Sequence, residues 1–130
     1  MSSSAARAVV AGHGDLADGL VSAVGLITGR SDALVPLTNR GLGAEQIEER
    51  LREALARGIH VIFTDLPAGS WTIAARRVMR DRDDLVLVTG VNLATLLDFV
   101  LREDSDKDAA RHAVEKGRAA MIVSGASRGD

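Results

Sequence analysis

The chain has 130 residues, a formal charge of −2, 46% hydrophobic and 2% aromatic residues, and no cysteine. That length predicts one domain with an aliphatic core, and the near-neutral charge argues against a nucleic-acid partner. The missing thiols exclude disulfides and thiolate metal sites and predict a reducing, cytoplasmic setting.

No apolar run approaches the length of a membrane span. The opening MSSSAARAVV has neither the basic region nor the long apolar core of a signal peptide. RAVVAG then reads as a buried strand. DLADGLVSAVGLITG follows as a helix, with Leu16, Leu20, Val24 and Ile27 at helical spacing. ALVPL is a short second strand, and Pro36 places it near a sheet edge, where a missing N–H is tolerated. AEQIEERLREALARG is an amphipathic helix with Ile47, Leu51 and Leu55 in line, a Glu48–Arg52 pair and Gly58 as its stop. IHVIFTD is a third strand, and SWTIAARRVMRD a third helix with Ser70 as the expected N-cap. LVLVTG is a fourth strand, and NLATLLDFVLRED a fourth helix capped by Asn92. A charged break, REDSDKD, precedes a short helix near DAARHAVEKG and a last apolar strand, AAMIVSG, at 119–125; residues 126–130 read as a disordered tail.

Strands alternating with helices predict an α/β fold: a mainly parallel four-stranded sheet covered on both faces by helices. Sites in such sheets form beyond the carboxyl ends of the strands. There lie GHGD after the first strand, TDLPAGS after the third and TGVN after the fourth, with a polar, glycine-rich TNRGLG after the second.

Three chemistries fit this crevice to different degrees. GHGDLA matches a dinucleotide fingerprint, but the second strand ends in Thr38-Asn39-Arg40 instead of the acidic residue that would hold a ribose. A phospho-aspartate receiver would use Asp65 and Thr89, but it needs an acidic pair after the first strand, and Asp15 stands alone. The third chemistry centres on His13. With the first strand beside the third, Asp65 fixes the imidazole tautomer and leaves the other nitrogen as a nucleophile. Gly12 and Gly14 leave the ring open to a bulky group. The helix start after Gly14, and Gly69-Ser70 at the next helix start, supply N–H groups suited to a phosphoryl group. Such a site needs no metal and no cofactor.

The stretches VVAGHGDLADGLVSAVGLITG, VIFTDLPAGSWTIAA and LVLVTGVNLATLLDFVL resemble the IIA component of the mannose family of sugar phosphotransferase systems, in order and spacing, from about Ala8 to Gly117. The resemblance implies a doubly wound sheet and a homodimer that exchanges its last strand, here 119–125 after a connecting arm at 102–108. It implies a phosphocarrier that accepts a phosphoryl group on His13 from the histidine-containing phosphocarrier protein and passes it to a IIB component, associated with a membrane sugar permease. Asp65 would be the supporting carboxylate. The alternative role is regulatory: a phosphohistidine that signals to a partner without sugar transport. The family pattern D-x-x-G-G-S-P-x-N is altered at Ala68, Trp71 and Ile73, while Asp65, Gly69 and Ser70 are retained.

The remaining candidates have plainer readings. His60 and His112 read as structural, and Asn92 as a cap. Arg76, Arg77, Arg80 and Arg82 read as a solvated face or a docking patch for an acidic partner. Trp71 is either a partner anchor or a cover for the third helix.

Overall fold

The computed structural model of the protein describes residues 6–127. Strand β1 (Ala8–Gly12) leads into helix α1 (Leu16–Thr28), and a 3₁₀ turn at Ser31–Ala33 precedes β2 (Leu34–Thr38). Next come α2 (Ala44–Leu55), β3 (Val61–Thr64), α3 (Ser70–Met79), β4 (Val86–Val88), α4 (Leu93–Leu101) and α5 (Asp106–Ala120). The strands form one parallel sheet in the order β2-β1-β3-β4. Chain order reverses between β1 and β3, as a doubly wound sheet requires.

The pleat divides the core in two. Ala8, Val10 and Phe63 face one side and bury against Val24 of α1, Phe99 of α4 and the alanines of α5. Val9, Ala11 and Ile62 face the other and bury against Leu51 of α2 and Trp71 of α3. Both faces are therefore apolar, because both are covered. Phe63 and Phe99 meet edge to face at 5.1 Å. Arg7 lies over the Phe99 ring at 4.5 Å and donates from Nε to Asp106, tying the start of β1 to α5.

Pro36 stands in β2, which is an edge strand, opposite Val10 of β1. Glu48 and Arg52 pair at 3.1 Å on α2. Several expectations need correction. On α1 the buried residues are Ala17, Val21 and Val24, whereas Leu16 and Ile27 are exposed. The short last helix is a full 15-residue α5. Its N-cap is Ser105, whose hydroxyl accepts from the Asp108 N–H at 3.3 Å, so much of the expected 102–108 arm is helix or cap.

Residues 119–125 do not form a strand in this chain. Ala119 and Ala120 complete α5, and Met121, Ile122 and Val123 continue unpaired and exposed. A strand needs a neighbour for its backbone groups, and the chain brings none to this segment. Of the tail at 126–130, residues 128–130 lie outside the described residues.

Candidate functional site

β1 and β3 are adjacent, with Ala11 opposite Thr64, so the chain leaves the sheet side by side at His13 and Asp65. The His13 backbone N–H donates to Asp65 Oδ2 at 2.9 Å, and His13 Nδ1 lies 2.7 Å from the same oxygen. The carboxylate is 10% exposed and the imidazole 46%. Burial pushes the Asp65 carboxyl up, but hydrogen bonds from the ring and the amide, and the attraction of the ring's charge, outweigh it; the net direction is down from 3.8. An ionised Asp65 accepts only, so in the neutral form of the ring the proton sits on Nδ1 and Nε2 keeps its lone pair.

The ring abuts the start of α3. Gly69 has φ +146°, a conformation that side chains resist, and a Cβ there would stand 3.4 Å from His13 Cε1. Gly69, not Ser70, is the N-cap, and no side chain caps this helix end. Ser70 is instead the first helical residue. The first-turn N–H groups, which have no acceptor within the helix, are therefore left uncapped beside the histidine.

A pair of threonines fixes the junction that carries Asp65. The Thr72 hydroxyl donates its one proton to the Leu66 carbonyl at 2.6 Å, so Thr64, 2.6 Å from it, is the donor to Thr72. The β2 junction clamps the other side. The Thr38 hydroxyl donates to the Gly14 carbonyl at 2.8 Å, and the Gly14 N–H makes a long bond to Asn39 Oδ1 at 3.4 Å. Arg40 pairs with Asp15 at 3.1 Å. None of Thr38, Asn39, Arg40 and Thr72 is singled out by motif. The available signal is positional: β2 flanks β1, so its polar junction must border His13.

Trp71 is 1% exposed and belongs to the core, which excludes it as a partner anchor. Its indole N–H is buried without a hydrogen-bond partner. Ala68 and Ile73 are exposed and change the rim of the site, where Leu16 and Leu66 also show apolar surface. Asn92 is a cap: its Oδ1 accepts from the Thr95 N–H at 3.0 Å and its Nδ2 donates to the Gly117 carbonyl at 2.9 Å. His60 Nε2 lies 3.2 Å from Asp84 and His112 Nδ1 3.0 Å from Asp98. Arg76, Arg77 and Arg80 are exposed. Among the described residues, no three His, Cys, Asp or Glu side chains gather in a metal-binding group. No helix there is long and apolar enough to cross a membrane.

A parallel sheet with a histidine–carboxylate pair at its switch point defines a class of α/β proteins with an imidazole in the crevice. Residues 7–116 match the family model for EIIA-man, described as the PTS system fructose IIA component. The chain belongs to this family of phosphotransferase-system IIA components, whose members are phosphotransfer intermediates.

Solved structures agree in fold. The PTS IIA protein associated with the fucose utilization operon of Streptococcus pneumoniae superposes with a TM-score of 0.80 at 21% identity, over 95% of this chain and 96% of that one. The mannose/sorbose specific IIA subunit of Enterococcus faecalis gives 0.79 at 19% identity, over 95% and 97%. The phosphotransferase system component EIIA of Streptococcus agalactiae gives 0.79 at 19%, over 90% and 95%. No curated protein sequence matches the chain.

Proposed function

We propose that the protein is a phosphocarrier that takes a phosphoryl group on His13 Nε2 from the histidine-containing phosphocarrier protein and hands it to a IIB component. The observation that carries this reading is the 2.7 Å contact between His13 Nδ1 and Asp65, which leaves Nε2 as the free nitrogen of a half-exposed ring. In uptake, the Nε2 lone pair forms the P–N bond while the donor's P–N bond breaks and its electron pair stays with the donor. The positive charge that develops on the ring is held by the Asp65 carboxylate through Nδ1–H. Gly69, Ser70 and the free N–H groups of α3 receive the phosphoryl oxygens, with Gly14 on the opposite side. The reverse sequence delivers the group to the IIB component. The setting is cytoplasmic, beside a membrane sugar permease.

A homodimer belongs to the same proposal. β4 is a three-residue edge strand with one side unpaired, and Met121–Val123 extend from α5 as exposed apolar chain. Soluble proteins seldom leave either feature uncovered, and mutual addition of the two segments across a two-fold axis covers both. Because Ala119 and Ala120 belong to α5, the segment proposed for exchange is 121–125.

Incubation with phosphoenolpyruvate and the general phosphotransferase proteins tests the chemistry. One acid-labile, alkali-stable phosphoryl group per chain is expected by mass, absent from His13→Ala. Undiminished labelling of that variant overturns the assignment. Uptake without onward transfer to any IIB component supports the regulatory role instead.

A further inference from the structure

The site confronts a phosphoryl dianion with two carboxylates. Asp65 holds the ring, and Asp15, two residues beyond His13, stands 84% exposed at the start of α1. Asp15 occupies the N-cap position yet makes no side-chain cap bond; its carboxylate is given to Arg40 at 3.1 Å. Carboxylates beside a dianion oppose its arrival, so an uncompensated site would lose phosphate readily.

The guanidinium is placed to compensate. Arg40 Nη2 is so close to Gly14 that a Cβ on that residue would sit 3.4 Å from it. Its backbone is tied through Thr38 to Gly14 as well. The Arg40 N–H donates to Thr38 Oγ1 at 3.2 Å, and the same hydroxyl donates to the Gly14 carbonyl. Asn39 binds the Gly14 N–H. The base of the arginine is thus stitched to the residue after the histidine, while its head is 65% exposed and held by one solvated ion pair. Such a pair is weak and exchangeable. A phosphoryl dianion offers a guanidinium more charge and bidentate geometry than a carboxylate does.

We infer that Arg40 is a phosphoryl-binding residue that leaves Asp15 and closes on the phosphoryl oxygens when His13 is phosphorylated, with Asp15 parking it in the free protein. This rests on the phosphocarrier reading of His13. The bond changes are those of the uptake step, with P–N forming at Nε2 and the donor bond breaking. Arg40 moves no proton and adds only charge compensation.

The test uses potassium phosphoramidate as donor, so that docking of a protein partner does not enter, and follows phosphohistidine on the full chain by ³¹P NMR. Arg40→Ala should slow uptake and speed loss of the phosphoryl group by about three- to ten-fold, as removal of one charge-assisted contact in an exposed site implies. Arg40→Lys should recover part of it. Asp15→Asn should act in the opposite direction, raising uptake, because it frees the guanidinium and removes a like charge. The Arg40→Ala deficit should shrink as salt is raised.

Opposite signs for the two single variants separate phosphoryl binding from a structural ion pair, whose loss from either side would act alike. An Arg40→Ala rate equal to the parent's, or a fall in Asp15→Asn matching that of Arg40→Ala, overturns the inference alone. A parent chain that takes no phosphoryl group on His13 overturns the phosphocarrier reading and this inference together. Should Arg40→Ala melt early, Arg40→Lys carries the comparison.

Discussion

Asp65 Oδ2 accepts from His13 twice, once from the ring and once from the backbone. In His13→Ala only the backbone bond survives, while the burial that opposes ionisation remains. The Asp65 carboxyl should therefore titrate higher in that variant than in the parent, which a ¹³C NMR titration reads directly; an unchanged value would assign the lowering to the backbone bond. The sign of the linkage follows from the same shift. A folded-state value below 3.8 contributes stability above the unfolded value that is lost as pH falls through the folded one. The parent's stability advantage over Asp65→Asn should thus be full at neutral pH and shrink below 3.8. Phosphoryl transfer in Asp65→Asn should slow by about ten- to a hundred-fold, the value of one charge-assisted orienting bond, measured by rapid quench. His13 and Asp65 are legible in the sequence because each sits at a strand's carboxyl end and the histidine has glycine on both sides. Thr72 and Arg40 are not, because a threonine inside a helix and an arginine in a loop are ordinary until adjacent strands bring their junctions together.

Helices α4 and α5 pack against each other at Gly117. A Cβ there would overlap Thr95 Oγ1 and stand 3.0 Å from Asn92 Oδ1, the atom that caps α4. Gly117→Ala should therefore destabilise the fold by about 1–3 kcal/mol, a cost typical of overpacking, seen as a lowered thermal midpoint. An unchanged midpoint would mean that α5 slides freely on α4. The order of strands and helices follows from the sequence because short continuous apolar runs alternate with apolar residues at helical spacing along the chain. The buried face of α1 does not. Large apolar residues surround this helix, so Leu16 and Ile27 draw the stripe to the wrong side while small Ala17 does the burying. The segment at 119–125 fails for a related reason. A short apolar run after an alanine pair is equally helix and strand by pattern, and the helix already under way claims Ala119 and Ala120.

For the molecule as a whole, residues 121–127 contribute nothing to the core, since all of them are exposed. If the proposed exchange joins two chains, removing residues 121–130 should leave the chain folded and give monomers, against a full-length dimer, in sedimentation at micromolar concentration. A dimer that survives the truncation would place its interface elsewhere, and a full-length monomer would refute the dimer. Trp71 adds a consequence of another kind. It is the sole tryptophan in a chain without tyrosine, buried one residue into the helix whose first turn borders His13. The protein's fluorescence thus arises at one shielded indole: blue-emitting, closed to iodide, and an unlabelled optical gauge of the order of that helix.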